Sequence, residues 1–373
     1  MKQFMYILST VVFFLFANAC TEATISMDEG GNEGKGDVKD GVPLSVKNLD
    51  LSVEVESRSI VTGGAVTSAA NPNPLMQVGL CVTKANGSAY AGGTNTQVFV
   101  YNGNAAQPGW ELVEGEERLL LFSEKGTVYG YAPAEKSVSL SGTPKVPVMS
   151  GVKVLDKQKF YFSDTSDPVD ASTDIQWETD QDDYLYCKVP VEVDRWHPEV
   201  SLTMNHALAK VSFRVLETDG GSEFAGSRVK KVVLKSNSGF KKSTSAKLNL
   251  ATGELGGTMT AVDELWFTAD GDLRRVGTGI GAGEDDIRKV TIQAFGMVIP
   301  VADVPVTLEL TLDNGSVYTM APAGGGGVST FIANWLKGNN YIYNIQLSPQ
   351  GISIANVEVA GWAEGGTTDV PVE

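Results

Sequence analysis

Short runs in which apolar and polar residues alternate recur along the chain from about residue 43 onward. Examples are LSVEV (51–55), TQVFVYN (96–102), TVYGYAP (127–133), KVSFRV (210–215), VKKVVLKS (229–236), AKLNL (246–250), VTLELTL (306–312) and YIYNIQL (341–347). Gly, Asn, Asp and Pro punctuate them. A period of two marks strands that bury one face, and its repetition at short spacing predicts β-sandwiches. Only STFIANWLKG (329–338) reads as a helical piece, and it is short. The predicted fold class is all-β.

Before these runs the pattern is different. MKQFMYILSTVVFFLFANAC has an early lysine, an apolar run from Phe4 to Phe16 and small residues before Cys20. That is the layout of a secretory signal, too short and wrongly flanked for a stable membrane span. A cysteine directly after ANA points to lipoprotein processing, with cleavage before Cys20 and acylation of it. Ala17 stands where that box usually has Leu. The other reading is an ordinary signal peptide cut after Ala19. Residues 21–42, rich in Gly, Asp and Glu, cannot bury enough surface to offset their ordering entropy and read as a tether. The expected organisation is a lipoprotein signal peptide (1–19), a flexible acidic and Gly-rich tether (20–42), and two domains, 43–200 and 201–373. The boundary follows a polar, Asp-rich passage (163–184) and the stretch DRWHPEV (194–200).

At that boundary LTMNHALAKVSFRV (202–215) holds one of only two histidines. Leu202, Met204, His206 and Leu208 keep one phase, Val211, Phe213 and Val215 the other. A bulge or turn around Ala207–Lys210 is therefore expected, with His206 facing a core and bonded to backbone. His197 precedes a proline in a turn-like stretch and reads as a surface residue.

Composition narrows the function further. A formal net charge of −16 argues against a nucleic-acid partner, which needs clustered Lys and Arg. There is no G-x-S-x-G elbow, no H-E-x-x-H and no Cys/His cluster at zinc spacing, so neither catalytic residue nor metal ligand is assigned. GTGIGAG (277–283) superficially matches a dinucleotide fingerprint but lacks the strand before and the helix after, and reads as a surface loop, like AGGGG (323–327). Asp180, Asp182 and Asp183 lack the spacing of a calcium loop and read as solvated. Cys81 and Cys187 sit inside strand-like runs and read as free buried thiols, although export permits a disulfide. No cofactor is expected.

The blocks VYGYAPA (128–134), DDYLYCK (182–188), HALAKVSFRV (206–215) and NWLKGNNYIYNIQLSPQGISIANVEVAGW (334–362) resemble, in order, those of the fimbrillin family, the Bacteroidales-type lipoprotein subunits of type V pili. The G-x-x-Y-x-Y-x-I-x-L block, Gly338 to Leu347, is the most specific of them. The resemblance implies two transthyretin-like Greek-key β-sandwiches in tandem, surface-exposed lipid anchoring at the outer membrane or a place in an extracellular fimbrium, and other fimbrillin-like subunits, identical or different, as partners. It implies adhesion to a host or bacterial surface ligand and no enzymatic step. It further implies that an arginine-specific protease removes an N-terminal strand, and that a neighbour's C-terminal strand fills the groove.

The residues supply parts for this. LDLSVEVESRSIVTGG sets Leu51, Val53 and Val55 on one face ahead of Arg58 and Ser59, and Arg58 is the only Lys or Arg between Lys47 and Lys84. It is either the processing site or a solvent-facing residue on a retained strand. In the tail Ile352 and Ile354 share one phase and Val357 and Val359 the other, which implies a bulge or a break. These four are the candidate strand-exchange residues, and the polar end AEGGTTDVPVE is a weak plug. A second reading is a monomeric surface lipoprotein that binds a glycan or host protein, with Trp110, Trp177 or Trp196 as stacking platforms.

Overall fold

The computed structural model describes residues 41–51, 75–90, 95–103, 108–162, 177–187, 189–218, 223–277, 290–320, 329–361 and 367–370. Cys20, Val53, Val55, Arg58, Ser59, most of GTGIGAG and all of AGGGG lie outside them. Among the described residues the regular structure is all β, with no α-helix.

One sheet has eight strands. Its path runs β2 (Ser45–Leu51), β14 (Glu199–His206), β12 (Leu185–Cys187), β7 (Gly126–Ala132), β3 (Gln77–Lys84), β4 (Thr96–Asn102) and β5 (Gly109–Leu112), with β13 (Val191–Val193) beside β7. The sheet curls until its edges β2 and β5 approach one another. Leu80, Phe99, Val128, Leu185 and Leu202 fill the enclosed core. A short pair, β1 (Val42–Pro43) with β6 (Leu120–Leu121), lies alongside.

A ten-stranded sheet runs β11 (Trp177–Thr179), β10 (Lys157–Phe162), β18 (Thr260–Ala269), β16 (Val229–Asn249), β20 (Val301–Leu312) and β21 (Val317–Thr319). β9 (Val146–Val154) and β17 (Leu255–Gly256) pair with β16, β8 (Val138–Ser141) with β9, and β22 (Phe331–Trp335) with β20. A five-stranded sheet, β19 (Ala294–Val298), β15 (Ala209–Glu217), β23 (Asn339–Ser348), β24 (Gly351–Gly361) and β25 (Thr367–Val370), shares with it a core built on Phe213, Phe267, Leu308, Trp335 and Tyr343. The chain passes from the eight-stranded to the five-stranded sheet at Ala207–Leu208, inside the stretch where the phase change predicts a turn.

Long β16 connects the cores. Its first half faces Phe267 and Leu308, and its second half, with β9, lays Leu248, Met149 and Val152 over Cys81 and Tyr131 on the outer face of β3 and β7. That is why QVGLCVTK reads as a nearly continuous apolar run: β3 is buried on both faces.

The helical reading of 329–338 is corrected. Phe331, Ala333 and Trp335 are buried while Ile332 and Asn334 are exposed, a period of two. β22 pairs antiparallel with β20, and Trp335 stacks on Phe240 with ring centroids 5.7 Å apart.

Candidate assembly site at the terminal strands

The N-terminal segment is held piecewise. Val42 and Pro43 pair with Leu121 and Leu120, the Leu44 N–H donates to the Leu119 carbonyl (3.1 Å), and the Ser45 N–H to that of Pro198 (2.9 Å). β2 then runs parallel to β14, from Ser45 opposite Glu199 to Leu51 opposite Met204. Between Val46 and Asn48 the register slips, and Lys47 is the extra residue of a bulge. The slip turns Leu44 and Val46, then Leu49 and Leu51, toward one core, while Lys47, Asn48 and Asp50 face solvent. Among the described residues β2 is an edge strand of its sheet, paired with a single long neighbour. Burying its three aliphatic side chains and Leu44 just before them contributes roughly 6–12 kcal/mol, an upper bound because the unfolded chain buries some apolar surface itself. The segment is peripheral in topology and costly to lose in energy. Leu51 lies where its alternation predicts, but Leu44, Val46 and Leu49 carry most of the strand and were not singled out in the sequence.

At the other terminus β23 and β24 form an antiparallel hairpin from Asn339 opposite Gly361 to Ser348 opposite Gly351. Asn344 faces Asn356 and Ile345 faces Ile354, so Ala355 is an extra, bulged residue. The phase change in the tail is thus a bulge within one strand. It brings Ile352, Ile354, Val357 and Val359 onto the same core as Tyr343 and Ile345. On the opposite face Glu358, 1% exposed, accepts hydrogen bonds from Arg214 Nη1 and Asn344 Nδ2, each at 2.7 Å. β25 adds a short outer edge, Val357–Ala360 against Thr367–Val370.

The chemistry-bearing residues fall elsewhere. His206 is buried as expected, and its Nδ1 lies 3.0 Å from the carboxylate of Asp183. Asp183 is correspondingly buried, which corrects its reading as solvated. Asp180 is exposed and accepts the Lys159 N–H at 2.8 Å, and exposed Asp182 pairs with Lys136 at 2.9 Å. Three acids close in sequence therefore point to three different environments. Beside them Lys210 is buried, and desolvation, opposed by the charge of Asp183, pushes its ammonium down to about 7. His197 is exposed, with Nδ1 2.9 Å from Asp194. Cys81 and Cys187 are free and buried, and burial pushes the Cys81 thiol up to about 12, which leaves it inert at neutral pH. Trp110 packs against the core under β2, edge-on to Tyr101 with centroids 5.6 Å apart. Trp196 is 66% exposed on a turn braced by Asp194, which accepts the backbone N–H groups of Trp196 and His197. Only the backbone of Trp177 is described.

A family model described as fimbrillin-like matches residues 76–362. Among solved structures, a candidate cell adhesion protein from Bacteroides ovatus is 19% identical, with a TM-score of 0.50 over 86% of this chain and 98% of that one. A candidate cell adhesion protein from Bacteroides uniformis is 16% identical, with a TM-score of 0.46 over 86% and 98% of the two chains. The tip fimbrial protein Mfa3 from Porphyromonas gingivalis, truncated at its C-terminus, is 10% identical, with a TM-score of 0.32 over 84% and 99%. No curated protein matches. At this identity the likeness to the Bacteroides ovatus protein concerns the fold alone.

Proposed function

The chain belongs to the fimbrillin-like family, and from that premise we propose that it is a structural or accessory subunit of a cell-surface fimbrium, assembled by strand exchange and supporting adhesion. Export as a lipoprotein acylated at Cys20, with the stretch from residue 21 up to β1 as tether, brings it to the outer membrane before assembly. Cleavage between Arg58 and Ser59 then releases the segment that contains β2. Its fold is two transthyretin-like Greek-key sandwiches, the chain crossing between them at Ala207–Leu208.

The observation that carries this reading is β2 itself. It is an edge strand among the described residues, parallel to its neighbour, that buries Val46, Leu49 and Leu51, with Leu44 buried just before it, and Arg58 follows seven residues after its end. Removing it leaves an apolar groove flanked by the unpaired backbone of β14. An incoming strand gains hydrogen bonds and apolar burial together, the physics of β-strand addition. Ile352, Ile354, Val357 and Val359 are the side chains proposed to enter such a groove on a neighbour. Treatment with an arginine-specific protease should yield a chain beginning at Ser59 together with oligomers on a sizing column, and Arg58→Ala should abolish both. Retention of the N-terminal segment with no oligomers would falsify strand-exchange assembly.

A monomeric role is the second reading, and exposed Trp196, in cation–π contact with Arg195 at 5.7 Å, favours it. A glycan array probed with the unprocessed monomer separates the two: sugar binding lost in Trp196→Ala supports the second, and a blank array supports the first.

A further inference from the structure

In a chain of net charge −16, strand β16 carries six lysines and no acid over residues 229–249. Alternation decides where they point. Val232 and Leu234 turn into the core with Phe160, Leu265 and Phe267, so Lys231 and Lys235 face outward. Trp266 of β18 shares that outer face, as do Lys157 and Lys159 of β10. The register sets these residues in rows across the sheet. Lys157 stands opposite Trp266, and Trp266 opposite Val233. In the next row Lys159 stands opposite Thr268, and Thr268 opposite Lys231.

Trp266 organises the charges around it. Its indole Nε1 donates to Glu264 at 2.8 Å, which fixes the ring. The Lys157 ammonium lies 4.2 Å from the ring centroid and the Lys231 ammonium 4.4 Å, one from the strand on each side. Both are cation–π contacts. They hold two long side chains beside one ring, so part of the ordering cost of binding an anion there is already met. Among the described residues no carboxylate pairs with either ammonium, whereas Lys159 is paired with Asp270 and Lys235 with Glu309, each at 2.8 Å. Val233, opposite the ring, is 1% exposed although it points away from the core. Covering Val233 accounts for a large side chain at position 266, but not for two unneutralised cations upon it.

We propose that this face binds an acidic polysaccharide, with a carboxylate or sulfate group held between Lys157 and Lys231 and a sugar hydroxyl bonded to Thr268. A sugar acid carries an anion and hydroxyls close together, and Lys231 and Thr268, directly opposite one another, meet both at once. Acids set the limit of the site. Glu264 and Glu309 lie on the Lys235 side and repel an anion there, which confines the charged group to the end marked by Lys157 and Lys231. The proposal is independent of strand exchange, because neither β2 nor β24 contributes to the face. It also differs from a sugar stacked on Trp196, since it requires charge on the ligand.

The test is biolayer interferometry of the full-length chain on four immobilised probes: heparin for sulfate, polygalacturonate for carboxylate, neutral dextran, and polyglutamate as an anion without sugar. One or both acidic polysaccharides should bind, more weakly as salt rises, and dextran should not. Lys157→Gln/Lys231→Gln should weaken binding about tenfold. Lys47→Gln/Lys125→Gln, which removes the same charge from the other sheet, should stay within about twofold of the parent. Trp266→Leu keeps both charges but frees them, and should weaken binding about threefold. Equal loss in the two double variants would reduce the effect to bulk charge and overturn the site. Polyglutamate bound as tightly as the polysaccharides overturns the carbohydrate assignment, and no binding of either polysaccharide overturns the proposal outright. Dimers on a sizing column that only Lys157→Gln/Lys231→Gln removes, with all four probes blank, would assign the face to a second copy of this acidic chain instead.

Discussion

Lys210 carries a pH dependence whose sign can be worked out. Its ammonium sits near 7 in the folded chain against an ordinary 10.5, first because it is buried, with the charge of Asp183 opposing. Above pH 7 the folded lysine has lost its proton and the unfolded one has kept it. Stability therefore rises with pH, by at most about 1.4 kcal/mol per pH unit from this group. Below pH 7 both forms are protonated and the slope vanishes. Above pH 9 Cys81 works the other way, because the folded chain holds its thiol proton up to about 12 against an ordinary 9.0. The window for Lys210 is pH 7–9. Urea unfolding of the parent chain should give a midpoint that climbs across that range, and Lys210→Met should flatten the climb; an unchanged slope would place the lysine in contact with water. Nearby, His206→Leu strands the buried Asp183 carboxylate and should cost about 3 kcal/mol in the same assay. Chemical unfolding within error of the parent would show that Asp183 finds another partner. The sequence made the burial of His206 legible through its phase, but not its partner. Asp183 lies 23 residues away on the approach to a neighbouring strand, and nothing in DQDDY marks which acid turns inward.

At the scale of elements, the ion pair beneath β24 decides how firmly the strand is held. Arg214 stands on β15, Asn344 on β23 and Glu358 on β24, so the pair spans three adjacent strands. Arg214→Met leaves Glu358 buried without its cation, a change of about 3–5 kcal/mol in comparable buried pairs. Amide hydrogen exchange should show β24 losing protection while β14 keeps it, and uniform loss throughout the fold would mean that the pair serves global stability and not the strand. One misread strand and two bulges show what periodicity can and cannot decide. Phe331 and Trp335 are four apart, which satisfies a helix and a strand equally, and only Ala333 between them distinguishes the two. Alanine is too weak an apolar signal to do so. The bulge in β24 was legible because strong aliphatics flank it on both sides. The equivalent bulge in β2 had the same signature in Leu44, Val46, Leu49 and Leu51, and a comparison of the two ends of the chain would have exposed it.

For the whole molecule, alternation made the all-β class legible, because most strands bury one face. It could not show which strands share a sheet, since residues that stand opposite one another, such as Lys157 and Trp266, or Ser45 and Glu199, are far apart in the chain. That arrangement bears on what happens when β2 leaves. The eight-stranded sheet encloses one core and the other two sheets enclose another, with a third apolar layer of Cys81, Tyr131, Met149 and Leu248 joining them. The roughly 6–12 kcal/mol contributed by burying Leu44 and the β2 side chains is comparable to the whole stability of an ordinary domain. Its loss falls almost entirely on the core beneath β2, because none of these four aliphatics belongs to the other core or to the joining layer. Scanning calorimetry of the processed chain, kept dilute, should therefore show a new transition at lower temperature beside one near that of the parent. Peptide 41–51 should remove the new transition by refilling the slot. The joining layer limits how far apart the two can move, since unfolding the first half uncovers Met149 and Leu248 on the second. A single transition shifted as a whole would mean that this layer couples the halves into one cooperative unit. A single unshifted transition would mean that the groove closes on itself when β2 departs. Two transitions merged by the peptide would mean that a processed subunit is complete only while a strand from outside occupies its groove.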